Sequence, residues 1–161
     1  MAIEIERKFL VKRSRWQPQG EPVTIRQGYL KATGESVVRV RTKGQRGFLT
    51  VKGKTHGMSR LEFEYEIPLA DANQMLDSLA EGPLIEKQRF LIPQGLHLWE
   101  VDVFFGDNAG LMVAEIELQD PAEPFTKPDW VGEEVTEDAR YFNSNLALHP
   151  YKVWATPEAG E

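Results

Sequence analysis

Cysteine is absent from the 161 residues, which excludes disulfide frameworks, thiolate metal sites and thiol nucleophiles. Long apolar runs are missing too; none approaches the roughly 18 residues that cross a bilayer as a helix. A basic excess is also lacking. The 19 Lys and Arg stand against 25 Asp and Glu, for a net charge of −6, the wrong sign for a general nucleic-acid binder. Only three histidines occur, His56, His97 and His149, and they share no metal-ligand spacing. The opening Met1-Ala2-Ile3-Glu4-Ile5-Glu6 is acidic where a secretory leader is basic and then apolar. These absences predict a soluble cytoplasmic protein with neither membrane nor nucleic acid as partner. No repeat, low-complexity tract or linker divides the chain, so a single domain over residues 1–161 is expected, long enough to bury a core unaided.

What the sequence does contain is period-two alternation, the mark of β-strands. Strands are predicted at 2–11, 23–31, 36–43, 48–54, 60–67, 84–92, 96–105 and 111–119. Turn residues separate most of them: Thr33-Gly34, Gly44-Gln45-Arg46-Gly47, His56-Gly57, Pro93-Gln94-Gly95 and Gly106-Asp107-Asn108. Short connections in series favour an antiparallel sheet. Gly44 and Gly47 belong to such a turn and not to a P-loop, because no Gly-Lys-Ser/Thr ending follows. A helix is predicted where Asp71 and Gln74 suggest a capping box and Ala72, Met75, Leu76 and Leu79 recur at helical spacing. A second is predicted over 137–148, with Thr136 as its N-cap and Phe142 and Leu146 on one face. Pro121, Pro124 and Pro128 mark an irregular crossing before it, and a frayed tail is expected after Pro157.

The polar strand faces are unusual. Alternation aligns Glu4, Glu6 and Lys8; Arg39, Arg41 and Lys43; Lys52 and Lys54; Glu62, Glu64 and Glu66; Lys87 and Arg89; Glu100 and Asp102; and Glu115 and Glu117. A charged face on any one strand reads simply as the wet side of a sandwich. Here, however, the signs are sorted strand by strand, and like charges on neighbouring same-face positions repel. Ligands that supply the missing counter-charges would remove that cost. Arginine and lysine pairs suit phosphate oxygens, and Glu-x-Glu pairs suit hard divalent cations. A site demanding both suggests a metal-bound polyphosphate.

The N-terminal Glu4-Ile5-Glu6-Arg7-Lys8 resembles the Glu-x-Glu-x-Lys signature of the CYTH superfamily, the triphosphate tunnel metalloenzymes. The resemblance continues in family order through Arg39-Val40-Arg41, Lys52, Glu62-Phe63-Glu64, Lys87-Gln88-Arg89, Asp102 and Glu115-Ile116-Glu117. The Gln27-Gly28-Tyr29-Leu30 and Val135 to Tyr141 segments look most like small bacterial members that hydrolyse inorganic triphosphate. The resemblance implies a closed eight-stranded antiparallel β-barrel, with a few covering helices, around a charged tunnel. Alternation by itself leaves the sandwich equally open, since it sorts faces without saying which face points inward.

The resemblance further implies that Lys8, Arg39, Arg41, Lys52, Lys87 and Arg89 hold the triphosphate. Glu4, Glu6, Glu62, Glu64, Asp102, Glu115 and Glu117 are the implied metal-side carboxylates, for Mg²⁺ or Mn²⁺, and a homodimer is suggested. For water activation, Lys8 is expected among cations that lower its ammonium pKa, with Tyr29 sharing the proton transfer or else packing as a plain aromatic; a second metal ion is the alternative. The four tryptophans read as packing residues. Competing functions are hydrolysis of thiamine or nucleoside triphosphates, cyclisation of ATP, and non-catalytic binding of polyphosphate.

Overall fold

The computed structural model describes residues 3–155. Nine strands and three helices follow in chain order. They are β1 (Ile3–Val11), β2 (Val23–Lys31), β3 (Ser36–Lys43), β4 (Arg46–Gly53), β5 (Ser59–Ile67), α1 (Leu69–Ser78), β6 (Glu81–Gln94), β7 (His97–Phe104), β8 (Met112–Glu117), β9 (Val131–Glu134), α2 (Asn143–Leu148) and α3 (Tyr151–Trp154). The spatial order is β5-β4-β3-β2-β6-β7-β8-β1-β9, and β5 also pairs with β1. That pairing, Ile3 against Leu61 and Ile5 against Ser59, closes an eight-stranded antiparallel barrel. The sandwich alternative is thereby excluded.

Strand β1 holds the closure because its two halves use different partners. Its first residues pair with β5, Glu6 to Leu10 pair with β8, and Phe9 and Val11 pair with β9. Strand β9 takes the edge that β5 leaves behind. It falls within the segment expected to be irregular: four residues carry too little alternation to announce a strand, and the free edge of β1 supplies the pairing.

The apolar strand faces turn outward, where two elements cover them. Phe9, Phe90, Trp99, Val101, Ala114 and Ile116 pack beneath the crossing segment and its Phe125 and Trp130. Phe9, Trp99, Phe125 and Trp130 meet edge to face at centroid separations of 5.6–6.1 Å, the favoured arrangement of aromatic quadrupoles. Helix α1 buries Ala72 and Leu76 against Val40. An end plug closes the barrel where the inward faces turn apolar. Tyr29, Val37, Ile85, Phe104 and Val113 meet Tyr141, Leu146, Ala147 and Tyr151 from the C-terminal segment. Among the described residues, no helix is long and apolar enough to cross a membrane.

Both predicted helices differ in detail. Helix α1 starts earlier, at Leu69, behind Pro68 as N-cap and with no side-chain cap bond. Asp71 therefore lies in the first turn, where its charge suits the helix dipole, and Leu79 ends the helix exposed. Thr136 does not cap a helix. Its hydroxyl accepts the backbone N–H of Lys8 at 3.0 Å, tying the chain to β1. A single 3₁₀ turn at Ala139–Tyr141, capped by Asp138, precedes the short α2. The tail after Pro157 lies outside the described residues.

Helix α1 approaches the barrel over bare backbone. A Cβ at Gly47 would stand 2.8 Å from the Ala72 Cβ and 3.1 Å from the Ile67 carbonyl oxygen. Gly47→Ala should therefore lower stability by about 1–3 kcal/mol through overpacking. Urea unfolding should show a reduced midpoint with an unchanged slope.

Candidate active site

The inward strand faces enclose a cavity of about 250 Å³ lined mostly by charged side chains. Antiparallel register builds it, because directly opposed residues share a face. Arg39 faces Thr50, which faces Glu64; Lys52 faces Glu62; Arg89 faces Asp102; Glu100 faces Glu115; and Lys8 faces Glu115. Tyr29 lies opposite Arg39, and register shifts flank it on both sides of β2. Tyr29 reaches the cavity wall there while staying 4% exposed.

The structure brings thirteen of the fourteen predicted site residues to this cavity: Glu4, Glu6, Lys8, Tyr29, Arg39, Arg41, Lys52, Glu62, Glu64, Lys87, Arg89, Glu115 and Glu117. Asp102 stays in the wall behind. Its oxygens accept from Arg89 Nε at 2.8 Å and Nη2 at 2.9 Å, and Lys87 Nζ stands 2.8 Å away. Both oxygens are thus committed to cations that line the cavity. Burial acts to raise the Asp102 carboxyl, but Arg89 and Lys87 outweigh it and hold it well below the ordinary value.

Two regions of opposite sign divide the cavity. On one side Arg39 and Arg41 share one oxygen of Glu64 at 3.4 and 3.0 Å, and Thr50 donates its hydroxyl to that same oxygen at 2.8 Å. Burial, with Arg39 and Arg89 adding repulsion, pulls Arg41 down to about 10. Burial followed by Arg41 and Arg89 likewise lowers Lys43. The Nε–H groups of Arg39 and Arg41 are buried and have no protein partner among the described residues. Carboxylates crowd the other side. Lys52 bridges Glu4 and Glu62 at 3.2 and 3.1 Å, which is too little cation for the group. Burial raises Glu4, Glu6 and Glu117, and neighbouring carboxylates push the same way: Glu115 and Glu4 on Glu6, Glu4 and Glu62 on Glu117.

Lys8 stands between the regions with a different charge state from the one expected. Its Nζ lies 3.3 Å from Glu115 and donates to the Tyr141 carbonyl oxygen at 3.1 Å. Burial would lower this ammonium, yet Glu115 and Glu6 prevail and raise it above the ordinary lysine value. The expectation of a cationic neighbourhood was wrong because register, invisible in the sequence, sets a carboxylate directly opposite. Lys87, like Lys43, is depressed, brought to about 8 by burial, with Asp102 opposing and Arg89 assisting.

Sequence reasoning left several cavity residues out of the site. Lys43 and Glu100 extend alternating faces already noted, so the signal was there. Phe142, Asn143 and Ser144, which reach the cavity from the end plug, carried none. None of the three histidines lines it; His97 instead meets Glu123 at 2.6 Å.

Comparisons with known proteins agree with this geometry. The CYTH domain model matches residues 2–151. A protein of Acetivibrio thermocellus named inorganic triphosphatase is 50% identical over 152 residues, covering 94% of this chain and 97% of its own. One of the same name from Nitrosomonas europaea is 44% identical, covering 90% and 97%. Among solved structures, an inorganic triphosphatase superposes with a TM-score of 0.64 at 41% identity, over 92% of this chain and 96% of that one.

The buried cluster of Asp102, Lys87 and Arg89 has a pH signature. Because the folded carboxyl is depressed, its pairing supports the fold above the unfolded value of about 3.9. That support is lost as pH falls through the folded value. Asp102→Asn should cost about 3–5 kcal/mol at neutral pH, since it leaves buried cations unpaired. In urea titrations the deficit against the parent protein should stay level from about pH 7 to 5 and shrink below about pH 4.

Proposed function

The chain belongs to the CYTH domain family, and we propose that it hydrolyses inorganic triphosphate to pyrophosphate and phosphate with the aid of a bound divalent cation. One observation carries this reading: within a single cavity, cations short of anions face carboxylates short of cations. A triphosphate supplies the first deficit and a divalent metal the second. Both relatives named above act, by their names, on inorganic triphosphate.

Arg39, Arg41, Lys52, Lys87, Arg89 and Lys8 form the phosphate clamp in this reading. The unpartnered Nε–H groups of Arg39 and Arg41 suit phosphoryl oxygens, which guanidinium groups grip through paired hydrogen bonds. Lys8, kept charged by Glu115 and Glu6, serves as an ammonium contact and not as the base. Tyr29 is left to orient the attacking water through its hydroxyl. Transfer through a loose, in-line transition state needs positioning and charge neutralisation more than a protein nucleophile.

Glu4, Glu6, Glu62, Glu64, Glu115 and Glu117 would hold Mg²⁺ or Mn²⁺. The donor set fits: all are oxygen ligands, and the elevated Glu4, Glu6 and Glu117 are those whose ionisation a cation would most favour. No three acidic side chains among the described residues form a ready-made cage, which matches the habit of Mg²⁺ to complete its shell with water and substrate phosphates. Bound there, the ion supplies Lewis-acid polarisation of phosphoryl oxygens. Asp102 acts through Arg89 and Lys87 as a positioning residue and is left out of this set.

Turnover of tripolyphosphate, ATP, thiamine triphosphate and pyrophosphate should be measured with Mg²⁺, Mn²⁺ or EDTA. Tripolyphosphate should be preferred, and EDTA should abolish activity. Equal use of ATP, or binding without turnover, would contradict the reading. Arg41→Ala should lower kcat by about 100-fold at any metal concentration. Glu117→Gln should instead raise the metal concentration for half-maximal rate about tenfold, so that excess Mn²⁺ recovers part of the activity. Identical metal titrations for the two variants would contradict this division.

A further inference from the structure

The end plug reaches the cavity with polar groups as well as apolar ones. Asn143, the first residue of α2, lines the cavity beside Phe142 and Ser144. Its Oδ1 accepts from Lys87 Nζ at 3.2 Å. Chemistry dictates the amide's orientation: an ammonium is a donor only, so the oxygen must face Lys87 and the NH₂ must point away from it. The Nδ2 donors have no acceptor among the described residues. An uncommitted amide donor therefore sits at the cavity wall next to a buried cation that is itself anchored by Asp102.

We propose that Asn143 is a substrate-binding residue with two tasks. Its oxygen positions Lys87, and its NH₂ donates to a phosphoryl oxygen of triphosphate at the plugged end of the tunnel. The proposal rests on the triphosphatase reading for its ligand, and it assigns the C-terminal segment a part in recognition beyond closing the barrel. Ionised carboxylates within the tunnel cannot donate, and Lys8 already directs bonds to Glu115 and Tyr141. A neutral donor here grips phosphate without adding to the repulsion that burdens the neighbouring cations.

The test compares Asn143→Ala with Asn143→Asp by calorimetric titration of tripolyphosphate in EDTA, and by turnover with Mg²⁺. Thermal unfolding serves as the folding control. Asn143→Asp keeps an acceptor for Lys87 but replaces the NH₂ with an anion; Asn143→Ala removes both groups. A hydrogen bond to a charged group corresponds to about tenfold or more in affinity. Alanine should weaken tripolyphosphate binding by at least about tenfold and aspartate by more than alanine, with unfolding temperatures near that of the parent protein. Binding by Asn143→Asp equal to that of the parent would overturn the donor role, and unchanged binding in both variants would overturn the whole proposal. Failure of the parent protein to hydrolyse tripolyphosphate would count against the triphosphatase reading alone, because the metal-free titration still reports on Asn143.

Discussion

Asp102 sits in the barrel wall between β6 and β8, and its ion pairs with Arg89 and Lys87 set the conditions for everything else inside. Two cations so deeply buried are tolerable only with a fixed anion beside them, since desolvating an unpaired charge costs several kcal/mol. Asp102 gives Arg89 a two-point grip and leaves one of its donors directed toward Glu115. Glu115 in turn holds Lys8. A chain of pairings thus runs from β6 and β7 through β8 to β1, the strand on which barrel closure depends. The same contacts that orient cavity residues also bind the wall together.

This is a barrel with its polarity reversed, charged inside and apolar outside, and the remaining architecture follows from that. Outward-facing Phe9, Trp99, Val101 and Ile116 require a cover, which the proline-rich crossing segment provides through Phe125 and Trp130. Val40 requires helix α1, which comes close only because Gly28 and Gly47 leave the backbone bare. At one end the inward residues change from charged to apolar, and the C-terminal segment seals them with Tyr141 and Leu146. A conventional core would have needed none of these separate layers.

Within the cavity the charges are only partly matched. Lys52 is shared between two glutamates, and Glu64 between two arginines. Glu6 and Glu117 are raised and Arg41 lowered by burial and like-charged neighbours, whereas Glu64 and Glu115 are held down by the cations they meet. Such partial matching costs stability in the free protein, because buried like charges repel one another.

The residues that share a face were determined by the sequence alone. Strict alternation in β1, β3, β5 and β8 aligned Glu4 with Glu6, Arg39 with Arg41, Glu62 with Glu64 and Glu115 with Glu117, because the β pleat sends every second side chain to one side. The expected bounds of β2 and β3 were also correct to the residue. Short or conditional elements were not legible: β9 exists because β1 has a free edge, and Thr136 bonds to β1 instead of capping a helix. Only the tertiary structure decided that the charged face points inward, that Lys8 meets Glu115, that Asp102 lies behind the cavity and that Asn143 reaches into it. Each of these depends on register and closure between segments far apart in the chain, and the period-two pattern within a strand carries no information about what stands opposite.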